Sequence, residues 1–141
     1  MTPKILFSLF VLGLTPVGGL VAFLWPPASI SAAALIQGVF IFPVLEEFVF
    51  RGILLREFER MTTRCVAKHL TLANLLSTTI FVLVHWLNRD MTVAFLVLVP
   101  SLLLGKLYEL SRSVSLCICI HGIWNAFYFG VAVAASLLVS S

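Results

Sequence analysis

Long apolar runs, separated by short polar clusters, govern this chain from end to end. The first, Ile5 to Trp25, stops at Pro26-Pro27, which cannot continue a helix already laid down before them. It predicts a first membrane span. The second helix is predicted from about Ala28 to Arg60 and is overlong for one crossing, so it should tilt or protrude at the end bearing Arg56, Glu57, Glu59 and Arg60. A third span is predicted over Lys68 to Leu87, a fourth over Met91 to Leu110 with a kink at Pro100, and a fifth over Val114 to Val139. The pattern specifies an all-α, polytopic membrane helix bundle of about five transmembrane helices. A cleaved signal peptide is the rival for the first run, because Lys4 precedes it; against that, about 21 residues is long for an h-region and no clear A-x-A site follows.

Composition agrees. Of the 141 residues, 61% are apolar and 11% charged, and the mean hydropathy is +1.13. A soluble domain carries about 25% charged residues. Five crossings of about 20 residues each would leave only short connectors, so no separate aqueous domain fits, and disorder, collagen, a disulfide scaffold and a nucleic-acid module are excluded with it. The formal charge of +3 reports topology: with the N-terminus in the cytoplasm, the inner side collects Lys4, Arg56, Arg60, Arg64, Lys68, Lys106 and Arg112, whereas the outer side has Arg89 alone beside Asp90. That asymmetry predicts N-terminus in and C-terminus out, and removing a signal peptide would leave four helices in the same orientation. The three cysteines read as reduced, small apolar residues, since Cys117 and Cys119 point to different sides of a helix.

Against this background the polar residues inside the spans need a cause. The second helix holds Glu46-Glu47-Phe48-Val49-Phe50-Arg51, and each ionisable side chain near the bilayer centre costs about 2.5–3.5 kcal/mol on insertion scales. Glu47 and Arg51 are four apart, about 40° around the helix, with the acid N-terminal to the base; Glu46 and Arg51 are about 140° apart. Glu47 is therefore the expected partner of Arg51, which leaves the Glu46 carboxylate for other work. Pro43 should bend the helix where Glu46 projects. An ion network that merely holds helices together would use the same residues.

The third span carries Phe81-Val82-Leu83-Val84-His85, and the fifth carries His121-Gly122-Ile123-Trp124-Asn125. A lone intramembrane histidine is more often a satisfied interhelical hydrogen bonder than a catalyst. His121 and Asn125, four apart, share one face and can both point donors at one atom, while Gly122 keeps the neighbouring surface thin. Asn74 and Ser77-Thr78-Thr79 are expected to cap or bond backbone, and His69 lies among inner-side basic residues. Depth is uneven: Glu46 lies roughly 15 Å from Arg56 and His121 roughly 13 Å from Arg112, but His85 lies roughly 25 Å from Lys68. Helix tilt, or a third span that starts before its membrane boundary, would remove the difference.

Glu-Glu-x-x-x-Arg at 46–51, Phe-x-x-x-His at 81–85 and His-x-x-x-Asn at 121–125, in order on successive apolar helices, resemble the three motifs of the CAAX protease and bacteriocin-processing family of intramembrane proteases. The flanks are similar, with Pro-x-Leu-Glu-Glu at the first motif. The resemblance covers about Phe40 to Phe129, so residues 1–27 form an N-terminal transmembrane helix outside the family core and residues 28–141 a four-helix core. The short chain also looks like the minimal members associated with C-terminal protein-sorting signals, the JDVT-CTERM type.

The resemblance implies a glutamic-type peptide hydrolase in which Glu46 takes a proton from water, His85 holds and polarises that water, and His121 and Asn125 form the oxyanion hole, with Glu47 and Arg51 in support. It implies no cofactor, a membrane-anchored polypeptide substrate (a lipidated tail or a C-terminal sorting helix), a lipid bilayer as the other partner, and a multi-pass place in a prokaryotic cytoplasmic (inner) membrane. Zinc hydrolysis is the rival chemistry, because one Glu and two His could ligate zinc and leave a position for water. No His-Glu-x-x-His signature accompanies them. Outside enzymes, the buried charges could line a solute path or belong to a non-catalytic, bacteriocin-immunity-like module, although such a relative is expected to have lost one of the four key residues.

Overall fold

Ser31 starts the first helix of the computed structural model, which describes residues 30–88 and 91–140. Its Oγ accepts the Ala34 amide at 3.1 Å, the N-cap arrangement that satisfies one of the otherwise open N–H groups of a first turn. Helix α1 then runs over Ala32–Met61, 30 residues, until Thr62 turns extended. Two stretches within it, Gln37–Ile41 and Phe48–Leu55, are wound as π-helix. The span expected over Ile5 to Trp25 and the Arg89-Asp90 pair lie outside the described residues.

A two-stranded antiparallel hairpin follows, β1 (Cys65–Ala67) and β2 (Leu70–Thr71), with Cys65 opposite Thr71 and Ala67 opposite Leu70. It corrects the expected start of the third span. Lys68 sits in the hairpin turn, and helix α2 runs over Leu72–Asn88. The cause is Thr71, whose hydroxyl accepts the Asn74 amide at 3.0 Å and so caps the helix at its own position. At 17 residues, α2 is about 25 Å long, shorter than a typical hydrocarbon core.

The fourth expected span is divided into α3 (Met91–Leu96) and α4 (Leu98–Ser111). Pro100 explains the break: without an N–H it offers nothing to the Leu96 carbonyl four residues back, and its ring crowds that carbonyl. Hydrogen bonds on either side persist, Val97 N–H to Val93 O at 3.1 Å and Ser101 N–H to Val97 O at 3.0 Å. Arg112, left-handed at φ 55°, ends α4. Its guanidinium donates to Glu59, which raises its pKa above the ordinary arginine value. Ser113 Oγ accepts the Leu116 amide and opens α5, Val114–Ser140.

Three helical stretches, Ala32–Met61, Met91–Ser111 and Val114–Leu138, are long and apolar enough to cross a membrane, and α2 is a shorter apolar helix. The fold is the all-α membrane helix bundle that the hydropathy pattern specifies. Large apolar side chains such as Phe40, Leu45, Phe48 and Phe95 are exposed on it, as a lipid-facing surface requires.

The described residues fall into two compact units. One is Leu45–Cys117, whose core includes Phe50, Leu55, Phe81, Leu104 and Leu107. Its helices approach closely at Gly105, where a Cβ would overlap the Asn74 side-chain amide. The other unit joins residues up to Val44 with those from Ile118 onward. Close approach recurs there at Gly122: a Cβ would lie 2.9 Å from the Val39 carbonyl oxygen.

Candidate active site

Within the Leu45–Cys117 unit the two adjacent glutamates have opposite surroundings. Glu47 is fully buried and its Oε2 lies 3.1 Å from Arg51 Nε, itself 1% exposed. Glu46, one residue earlier, is 26% exposed and faces His85, with Oε1 3.9 Å from Nε2. Helical spacing sends the two carboxylates in different directions, and the structure uses one for an internal ion pair and the other beside an imidazole.

The His85 ring is fixed from behind. Nδ1 lies 2.9 Å from the Phe81 carbonyl oxygen, which can only accept, so Nδ1 carries a proton, and in the neutral tautomer this selects Nε2 presents a lone pair. Two acceptors then face each other across 3.9 Å. That gap is too long for a direct hydrogen bond and suits one water, which at about 2.8 Å from each would subtend roughly 90° and give one proton to each acceptor. The arrangement can hold a water with a carboxylate as its base.

Phe81 ties this pair to the buried ion pair. Its ring lies 4.3 Å from the His85 ring at 32°, packs edge-on to Phe50 at 4.8 Å, and has the Arg51 guanidinium 5.3 Å from its centroid. Arg51 Nη2 also donates to the Ser101 carbonyl at 2.8 Å and to Ser101 Oγ at 3.1 Å. Thr78 Oγ1 is 3.1 Å from Ser101 Oγ, Ser77 Oγ donates to the Phe50 carbonyl at 3.0 Å, and Asn74 Nδ2 donates to the Leu102 carbonyl at 3.0 Å. Asn74 and Ser77 of α2 thus bond backbone on neighbouring helices, and Thr78 meets the Ser101 hydroxyl. Ser101 is the member that sequence reasoning missed: half of its contribution is a main-chain carbonyl, which no side-chain pattern announces.

His121 and Asn125 lie one turn apart on α5, in the second unit, and both are half-buried. Asn125 Nδ2 donates to the Gly38 carbonyl at 2.7 Å. An amide nitrogen has two protons, so this bond fixes the orientation of the group and leaves a second donor. Gly122, between them in sequence, has the thin surface expected of it against Val39. Among the described residues, no group of three or more His, Cys, Asp and Glu side chains is arranged to hold a metal ion, and Cys65, Cys117 and Cys119 are unbridged.

Compared with known families, residues 27–127 match the sequence model described as Type II CAAX prenyl endopeptidase Rce1-like. No curated protein and no solved structure matches the chain.

Proposed function

Since the chain belongs to the Rce1-like family of type II CAAX prenyl endopeptidases, an integral membrane protein of CAAX-protease type, we propose that it is a glutamic-type intramembrane endopeptidase acting through Glu46, His85, His121 and Asn125. The observation that carries this reading is the Glu46–His85 pair, 3.9 Å apart with the imidazole tautomer set by the Phe81 carbonyl. A water shared by the two gives a proton to the Glu46 carboxylate, and its oxygen bonds to the carbonyl carbon of the scissile peptide. His85 Nε2 takes the other water hydrogen bond and orients the attack. Negative charge passes to the carbonyl oxygen, where His121 and the second Asn125 proton serve as donors; preorganised donors are most effective where water is scarce. The carbon–nitrogen bond breaks as Glu46 returns its proton to the leaving nitrogen, giving a carboxylate and an amine.

The substrate on this reading is a polypeptide presented at the membrane, either a lipidated tail or a C-terminal sorting helix, and the setting is a prokaryotic cytoplasmic membrane. Purified full-length protein incubated with both substrate classes in H2¹⁸O should release a peptide of defined mass, with one ¹⁸O atom in the new C-terminal carboxylate. Glu46→Gln should release none. Absence of a fragment from both classes, or equal cleavage by the Glu46→Gln protein, would remove the assignment.

A further inference from the structure

The carbonyl that holds Asn125 belongs to a helix, where main-chain carbonyls are ordinarily occupied. In the π-wound stretch Gln37–Ile41 the Phe42 N–H goes five residues back, to the Gln37 carbonyl. The next bond in that register would run from the nitrogen of residue 43 to the Gly38 carbonyl. Residue 43 is proline and has no N–H. The π turn takes the Phe42 donor away from Gly38, and Pro43 supplies none in its place. The acceptor so exposed is the one Asn125 Nδ2 meets at 2.7 Å. All of these groups lie in one compact unit, and Gly38 itself is buried.

We propose that Pro43 is a positioning residue for Asn125: by denying the Gly38 carbonyl a backbone donor within a π turn, it creates the acceptor that orients the Asn125 amide. An unoccupied buried carbonyl is costly, so the side-chain amide and the carbonyl satisfy each other, and one amide proton is directed away from Gly38. π turns inside α-helices occur frequently at functional sites. The consequence for turnover rests on reading Asn125 as an oxyanion donor; the contact itself does not.

The test separates the two. Pro43→Ala restores an N–H that can reach Gly38 in the π register or close an ordinary α turn, and alanine favours helix, so the variant should fold. In protein labelled with ¹⁵N-asparagine, the Asn125 side-chain amide proton bonded to Gly38 should lose its downfield shift in Pro43→Ala. The kcat should fall on the order of tenfold, less than the 10²–10³-fold typical of deleting an oxyanion donor, with KM unchanged. Replacing residue 43 by the α-hydroxy analogue of alanine, whose ester linkage has no N–H, should return both the resonance and kcat towards the parent. Independently of any change at 43, Asn125→Ala should move the carbonyl resonance of ¹³C-labelled Gly38 upfield. An Asn125 amide unaffected by Pro43→Ala, or a Gly38 carbonyl unaffected by Asn125→Ala, would overturn the proposal. If Asn125→Ala turns over at the parental rate, the oxyanion reading falls instead, and the two resonances still decide the contact.

Discussion

Arg51 and Glu47 face each other one turn apart with Nε and Oε2 separated by 3.1 Å and neither side chain more than 1% exposed. The guanidinium also reaches Ser101, so the pair joins two helices and does not sit on one. Glu47→Gln should leave a buried arginine short of its counter-charge, an error worth about 3–5 kcal/mol. Its symptom should be poor accumulation or a lowered melting temperature. Glu47→Gln combined with Arg51→Met should recover part of that stability, and a double variant less stable than Glu47→Gln would contradict the pairing as the source of the loss.

Glu46 is the more exposed of the two and faces His85. Glu46→Gln keeps the shape and removes the base, so cleavage should fall on the order of 10²-fold or more while melting temperature and yield stay near the parent. Near-parental cleavage by Glu46→Gln, with loss in a stably folded Glu47→Gln protein, would reverse the two roles.

Gly105 lets α4 approach α2 closely enough that a Cβ would overlap the Asn74 amide. Gly105→Ala should displace that amide from the Leu102 carbonyl it bonds at 3.0 Å and cost about 1–3 kcal/mol in thermal denaturation. Asn74→Ala in the same protein should relieve the overlap, so the double variant should lose less than the sum of the two single changes.

The chemistry proposed for Glu46 and His85 needs no metal. Cleavage should survive thorough chelation in detergent, and elemental analysis should find less than stoichiometric zinc. Activity lost to chelator and restored by zinc would move the assignment to metal-assisted hydrolysis.

Basic residues gather at one set of helix ends, from Arg56 through Lys68 and again at Lys106 and Arg112. A reporter active only in the cytoplasm, fused after Ser141, should therefore be silent. A bright signal there would contradict the five-helix layout.

Much of this was legible in the sequence because it depends on spacing. The four-residue interval between Glu47 and Arg51 anticipates their contact, and Pro100 anticipates the interruption of its helix at Val97. From the sequence, helix α2 is expected to start at Lys68, and in the structure it starts at Leu72, although Thr71 directly before an apolar run is a recognisable capping signal. The hairpin at Cys65–Thr71 hid among basic residues that read as a helix end. The π-wound stretches follow no 3.6-residue period, so the acceptor at Gly38 could not be foreseen. By rise alone His85 stood too deep, and the later start of α2 removes part of that excess; the rest is a matter of helix placement, which the chain's pattern does not encode.

Arg51 draws on two kinds of acceptor, and they differ in what mutation can do to them. The Ser101 carbonyl at 2.8 Å belongs to the main chain and survives every substitution at that position, whereas the Glu47 carboxylate exists in only one side chain of that length and charge. In a saturation library the two neighbours of the same guanidinium should therefore diverge: position 101 should accept small residues such as alanine or glycine with the loss of only the two Oγ contacts, to Arg51 and to Thr78, each at 3.1 Å, and position 47 should accept almost nothing. Genetic tolerance around this buried cation is set by whether its partner atom lies on the backbone or beyond it.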